Sequence, residues 1–294
     1  MRPFDDIARL AEQRRLDRAA ALLRVTGEKV LRSRRLRDTL HGVWLGHPLH
    51  PALVQAPMGA FVSSAVADAC RGGAPVADAL IRVGLVTSLP AAAAGTADYL
   101  KGHEEQQRVA VVHAAGNAVG LLCFVASLRL RGRGHRAAGA AASLAGLSVL
   151  GASAAIGGHL SYHFAMGANH TEAVPHTGPG EWTDLVGFAE LPDRSPVKRF
   201  AGDVPVVLVR TGSQVDVLAD TCSHTSGPLH DGELLSENGG DCLRCPWHGS
   251  VFRLADGAVV HGPATAPQPR FHARVVDGRV QARVRTFAGV PTAG

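Results

Sequence analysis

The sequence predicts a multi-domain chain in which a four-helix transmembrane bundle precedes a small all-β domain. Three observations carry that expectation. Residues 47–160 hold four apolar stretches, each close to the ~20 residues that a helix needs to cross a bilayer core. From residue 181 onward the chain turns to short valine-rich runs separated by Gly, Asp and Pro. The charged fraction of 19% lies below the roughly 25% of an average soluble protein, as expected where an apolar part is joined to a wet one.

Residues 1–46 read as a basic tail. It holds 11 Lys/Arg against 6 Asp/Glu, which accounts for the whole net charge of +5 of the 294-residue chain. The rest is neutral, so a general nucleic-acid surface is excluded. Ile7, Leu10, Ala11, Leu22 and Leu23 fall near helical spacing between Arg14, Arg15, Arg18 and Arg24, the pattern of an amphipathic basic helix. Two readings stay open: an interfacial helix on anionic lipid, or a solvated helical tail. The roughly 7–15 apolar residues of a cleavable leader do not follow the first basic residues. Ser33-Arg34-Arg35 lacks the continuation of a twin-arginine export signal.

Residues 47–160 are expected to span the membrane through Ala52–Cys70, Ala79–Ala97, Val109–Leu128 and Ala137–Gly158. Short loops between them, such as Lys101–Arg108 and Arg129–Arg136, carry most of the charge. The fourth stretch is rich in Gly, Ala and Ser, which let membrane helices approach closely where lipid offers no hydrophobic drive between them. An Ala-rich soluble bundle is the competing reading. Cys70 and Cys123 lie in apolar stretches, where buried packing is the usual role.

Residues 161–180, with three histidines, read as a linker, and residues 181–290 as the β domain. Strands are expected at Val204–Arg210, Val215–Ala219, Ser250–Leu254 and Ala258–His261. Ala273–Val276 and Arg279–Val284 flank Asp277-Gly278, a hairpin signal. Between these strands stand Cys222-Ser-His224 and Cys245-Pro-Trp-His248, each offering one thiolate and one imidazole. That set suits a [2Fe–2S] cluster with two Cys on one iron and two His on the other. A Cys2His2 zinc site would use the same four residues. Zinc fingers usually set paired Cys against paired His, whereas here each loop is mixed. Cys242, although a CxxC with Cys245, has no counterpart in the first loop and reads as a packing residue.

The residues from about Trp182 to Val284 resemble the Rieske family. The resemblance is carried by Cys222-Ser-His224, Gly227-Pro-Leu229, Cys245-Pro-Trp-His-Gly-Ser-Val-Phe252, Asp256-Gly257 and the proline loop Gly262–Pro269. It implies Cys222 and Cys245 on one iron and His224 and His248 on the other, with Leu229 and the proline loop shielding the cluster. Two departures place the chain nearer the ferredoxin branch than the respiratory branch. The extra cysteine pair of the latter is missing from both loops, and Phe252 stands where it has Tyr, while Ser250 remains. Fewer hydrogen bonds to the cluster imply a lower potential. The mononuclear-iron domain of a ring-hydroxylating oxygenase is not found in the chain.

His47-Pro-Leu-His50-Pro resembles the lead-in of an uncharacterised four-span bacterial membrane family, which implies architecture without chemistry. In an antiparallel bundle of four spans, His47, His50, Asp98, His113, His159 and His163 fall on one membrane face, and the β domain follows from it. His113 and Asn117 share a helical face, as do His159 and His163. Ionisable residues in spans are functional candidates, so His47, His50, His113, His159 and His163 are expected to form a haem b, metal-ion or quinone site. The competing reading leaves them at helix ends or the headgroup level. The basic tail predicts the amino terminus, and with it the β domain, in the cytoplasm of a bacterial-type plasma membrane. The four arginines of Arg129–Arg136 then fall outside, against the rule, while the missing disulfide favours a reducing compartment.

The expected function is a membrane-anchored electron carrier without substrate chemistry of its own. It would exchange single electrons with a redox protein: a reductase, an oxygenase or a respiratory component. The alternative is a transporter or metal-handling bundle with the cluster as redox sensor. A nucleophile motif and a Gly-rich phosphate loop are not found, so nucleotide-cofactor binding is not expected.

Overall fold

The structure, a computed structural model, describes residues 5–286 apart from residue 238. The first residues of the expected tail and the last of the expected β domain lie outside the described residues. The chain divides into two units, Met1–Leu40 with Pro48–Met166, and His41–His47 with Gly167–Gly294.

The first unit is helical: α1 (Asp5–Ala8), α2 (Asp17–Val30), α3 (Arg34–His41), α4 (Leu49–Leu53), α5 (Gln55–Ala69), α6 (Ala74–Tyr99), α7 (Glu104–Gly132) and α8 (Arg136–Tyr162). Three of these, α6, α7 and α8, are long and apolar enough to cross a membrane. The first expected span is divided. Pro57 has no N–H to offer the Leu53 carbonyl, and the helix breaks at Val54. The 15 residues of α5 rise about 22 Å, short of the ~30 Å hydrocarbon core.

The helices α5 and α6 form one hairpin and α7 and α8 another; α6 meets α7 and α5 meets α8, closing a four-helix ring. Its interior combines small or polar residues, Gly84, Ser88, Gly120, Ser127, Ser143 and Gly146, with a buried apolar cluster of Phe61, Ile81, Phe124 and Leu150. Val66, Val86, Leu89 and Leu122 are exposed on the outside. Large apolar side chains left on the outside, with glycines and serines where the helices approach closely, suit packing in lipid. The tail packs on one end of the ring. Ala11, Leu23 and Leu31 are covered by α6, α7 and their neighbours, while Leu22, Val25 and Val30 stay exposed. Tyr99 donates to the Ala20 carbonyl at 2.7 Å, and Arg108 holds Asp17 at 2.6 Å.

Two expectations need correction here. Cys70 is exposed, because it lies just beyond the end of α5 rather than inside a span. Arg131 is not a loop cation: it is buried in the last turn of α7, bound to both carboxylate oxygens of Asp68 and to Asp78. Asp78 also takes Arg136.

The two hairpins repeat one another. His50 and His113, Phe61 and Phe124, Ser64 and Ser127, and Asp68 and Arg131 are each 63 residues apart. Ala77, Ile81, Gly84, Ser88 and Ala91 of α6 are buried, as are Gly139, Ser143, Gly146, Leu150 and Ser153 of α8, each 62 residues on. The equivalent Phe61 and Phe124 stack 3.9 Å apart, and the equivalent Asp68 and Arg131 form the ion pair. The membrane-like unit is therefore a tandem helical hairpin with an approximate two-fold axis between α5 and α7.

The second unit is all-β apart from short helices, including α9 (Val174–Thr177). Its strands are β1 (Thr183–Gly187), β2 (Pro196–Ala201), β3 (Val204–Thr211), β4 (Gln214–Ala219), β5 (Glu233–Glu237), β6 (Gly240–Arg244), β7 (Val251–Arg253), β8 (Val259–His261), β9 (Phe271–Val276) and β10 (Arg279–Val284). They form antiparallel sheets in the orders β1-β10-β9, β2-β3-β4 and β5-β6-β7-β8. The middle sheet is buried on both faces. Val206 and Leu208 face the core shared with Phe271 and Val280, while Val207 and Val209 face that shared with Leu229 and Phe252. Two buried faces explain the unbroken apolar run of β3. The expected hairpin is present, with positive φ at Asp277 and Gly278. The strands β1, β2, β5 and β6 had no clear signal, since each mixes charged or small residues into a short half-exposed run.

Candidate functional site

Two loops leave the β-sheets side by side. The first, after β4, holds Cys222 and His224. Its turn is closed by the Cys222 N–H on the Gly227 carbonyl (2.8 Å) and the Ser226 N–H on the Cys222 carbonyl (3.0 Å), with Ser226 at φ 64°. The second, between β6 and β7, holds Cys245 and His248. It is closed by the Cys245 N–H on the Ser250 carbonyl and turns at Gly249, φ 81°. Gly227 is needed for the loops to meet: a Cβ there would stand 2.9 Å from the Cys245 sulfur.

The structure brings all four expected residues together. Cys222 and Cys245 are buried, and their sulfurs share a hydrogen bond. That bond, with burial, pushes the Cys222 thiol well up, and it draws Cys245 down to about 7. Each sulfur also faces backbone N–H groups, His224 and Thr225 for one and Trp247 and His248 for the other. Such donors stabilise negative charge on sulfur. The His224 and His248 rings lie 5.1 Å apart. Both turn Nδ1 towards the Thr225 hydroxyl, at 3.3 and 3.0 Å. Two sulfurs in contact beside two converging imidazoles form a donor set that suits a two-iron centre.

Residues 181–284 match the Rieske [2Fe–2S] domain. The anthranilate 1,2-dioxygenase ferredoxin subunit of Burkholderia cepacia is 33% identical over 104 residues, 35% of this chain and 93% of that one. The chain belongs to the Rieske [2Fe–2S] family. Ferredoxin CarAc of Metapseudomonas resinovorans is 34% identical over 79 residues, covering 27% of this chain and 70% of that one. The solved ferredoxin of carbazole 1,9a-dioxygenase from Nocardioides aromaticivorans is 21% identical, covers 35% of this chain and 98% of that one, and aligns with a TM-score of 0.33. Residues 46–170 match a second family, described as "Predicted membrane protein (DUF2231)". The family implies a [2Fe–2S] cluster in the Rieske domain, and the donor set fits it.

Several residues that sequence reading left without a role hold the Rieske site in shape. Gln268, in the proline loop, is buried. It accepts the Ser223 N–H at 3.0 Å and donates to the carbonyls of Ala219 and Thr221 at 2.8 and 2.5 Å. Asp220 is buried and takes the backbone N–H and Nδ1 of His230, both at 2.7 Å, beside Leu229. Ser250 accepts the Ala264 N–H at 2.9 Å, tying the proline loop to the second cluster loop. From the linker, the His170 N–H donates to the Ser223 carbonyl at 3.0 Å. A polar Gln amid prolines was the one visible signal of the set. Cys242 is buried on β6 near the Glu237 and Gly240 carbonyls.

The five membrane histidines separate. His50 and His113 are neighbours, with ring centres 6.4 Å apart and ring planes nearly perpendicular. His159 and His163 stack at 4.4 Å, with Phe164 edge-on. His47 folds with the Rieske unit, in the segment whose Val43 lies against Gly262. Among the described residues, neither membrane pair is joined by a third His, Cys, Asp or Glu that would complete a metal site made of protein donors alone.

Proposed function

We propose that this Rieske protein is a membrane-anchored electron-transfer component whose cluster is held by Cys222, Cys245, His224 and His248. One observation supports it above the rest: two mixed Cys/His loops converge with sulfur against sulfur and imidazole beside imidazole, in a domain a third identical to a dioxygenase ferredoxin subunit. Once bound, the cluster supplies a site that takes and returns one electron. The surrounding residues hold the thiolates with backbone N–H groups, turn both imidazoles inward, and cover the site with buried Leu229 and the proline loop. The partner is a redox protein, with a reductase or oxygenase favoured by the ferredoxin relatives.

In this reading the chain comprises a tail (1–46), a membrane domain (47–160), a linker (161–180) and the Rieske domain (181–290). The first of four crossings is made by α4 and α5 together. Their ladder continues through the break, Val54 N–H to the His50 carbonyl and Met58 N–H to the Val54 carbonyl, at 3.1 and 3.2 Å. Four crossings return the chain to its starting side, and the basic tail assigns that side to the cytoplasm. The burial of Arg131 in its pair with Asp68 removes one cation from the opposing loop. The pairs His50/His113 and His159/His163 are the candidates for a second redox site, with haem b, a metal ion and a quinone as the ligand classes that imidazole suits.

Electron paramagnetic resonance of the reduced full-length protein tests the reading. A rhombic [2Fe–2S] signal with histidine nitrogen couplings is expected, and it is lost in His224→Ala or His248→Ala. A reconstituted protein that binds zinc and gives no such signal refutes it.

A further inference from the structure

We infer that His50 and His113 are the two axial ligands of a b-type haem held on the two-fold axis between the helical hairpins. This deepens the reading above, which leaves the ligand of the membrane histidines open among three classes.

The first argument is the repeat. His50 Nδ1 lies 2.8 Å from the Ala91 carbonyl, and His113 Nδ1 lies 2.8 Å from the Ser153 carbonyl, at equivalent positions. Beside them, a Cβ on Gly95 would fall 2.9 Å from the His50 ring, and one on Gly157 would fall 2.9 Å from the His113 ring. The hairpins differ at most other positions, yet each keeps an imidazole, a carbonyl to anchor it and a glycine to seat it. The anchoring has a chemical consequence. Nδ1–H donated to a carbonyl leaves the Nε2 lone pair for a metal, the arrangement that orients metal-binding histidines. His113 Nε2 faces the Asn117 amide nitrogen at 3.1 Å, and the Ser153 hydroxyl lies 3.1 Å from Nδ1. Asn117 therefore has to swing aside when Nε2 binds iron.

Spacing and donor number select the metal centre. Two imidazoles on opposite faces of one metal, each bonded at about 2.0 Å with about 1.1 Å more to the ring centre, put the centres about 6.2 Å apart. The observed separation is 6.4 Å, with the rings at 87°. Tetrahedral zinc would draw them to about 5 Å and needs about four protein donors. Among the described residues only these two gather here. A porphyrin brings four nitrogens of its own and asks the protein for two axial ligands. The residues that seat the two rings, Ala91, Gly95, Ser153 and Gly157, are small, and the larger polar side chain of Asn117 stands against a ring nitrogen.

The test uses full-length protein made with added haem precursor and purified in detergent, with both centres read in one sample. One haem per chain by pyridine haemochrome is expected, together with a low-spin visible spectrum and the strongly anisotropic resonance of crossed axial imidazoles. His50→Ala and His113→Ala should each lower haem retention at least ten-fold while His163→Ala keeps it, and free imidazole should restore the low-spin spectrum to His113→Gly. The cluster signal in the same variants reports the Rieske unit, and an unchanged detergent melting midpoint together with rescue of His113→Gly by imidazole shows that the helical unit has folded. A normal cluster signal without haem, or haem retained in His113→Ala, overturns this inference and leaves the electron-transfer reading standing. Haem without a cluster signal does the reverse.

Discussion

Replacing Gln268 by Leu tests whether one side chain holds the proline loop and the first cluster loop together. Leucine keeps most of the volume, so the loss is one of hydrogen bonds. The Ser223 N–H and the carbonyls of Ala219 and Thr221 lose a partner inside a buried site. An unsatisfied buried donor costs about 1–3 kcal/mol and a carbonyl with a second lone pair less, so the sum should be roughly 2–4 kcal/mol. For a domain of this size each kcal/mol moves the midpoint by about 4–8 °C. The midpoint for thermal loss of the cluster's visible circular dichroism in full-length protein should therefore fall by roughly 8–30 °C. Ser223 lies beside Cys222, so cluster loss and unfolding should move together. A midpoint within about 2 °C of the parent would show that the loops are held by something else.

Three further outcomes follow from the same geometry. Gly257 sits at φ 74°, and a Cβ there would fall 2.1 Å from the Gln268 carbonyl; Gly257→Ala should fail to retain the cluster at temperatures where the parent keeps it, as read by visible absorbance. Arg131→Leu leaves Asp68 and Asp78 without their buried cation and should cost about 3–5 kcal/mol; melting in detergent should show the loss, and the triple change with Asp68→Leu and Asp78→Leu should recover much of it. Arg194 holds Asp241 with two bonds of 3.0 Å and keeps its carboxyl below the usual range. A depressed folded pKa stabilises above the unfolded value near ~4 and is lost as pH falls through the folded one. Arg194→Ala should therefore be less stable at neutral pH, with the gap to the parent closing in acid, as followed by far-ultraviolet circular dichroism.

Much of the site was legible because its chemistry is local. Cys222, His224, Cys245 and His248 sit in two short loops where residue type and spacing alone suggest two irons. The hairpin turn also read well, since Asp277-Gly278 adopts a conformation that few other residue pairs accept. The strands β2, β5 and β6 did not. Their stability comes from neighbours far along the chain, which periodicity within five or six residues does not record. The division of the first apolar stretch into α4 and α5 was not legible, because hydropathy counts apolar residues and is blind to the N–H that Pro57 lacks.

By itself the sequence determined the two-part architecture, the family of the second part and the residue types available to bind iron. These follow from composition and short-range pattern, which survive whatever the chain does elsewhere. Only the tertiary structure decided which distant residues meet. It put Gln268 under the first cluster loop, drew Arg131 into the bundle against Asp68, set four of the five membrane histidines in two pairs, and showed the two hairpins to be copies. A repeat with few identities is nearly silent in a string of letters. It becomes visible when burial, stacking and hydrogen bonds recur at the same offset, because packing preserves the position of a side chain more strictly than its name.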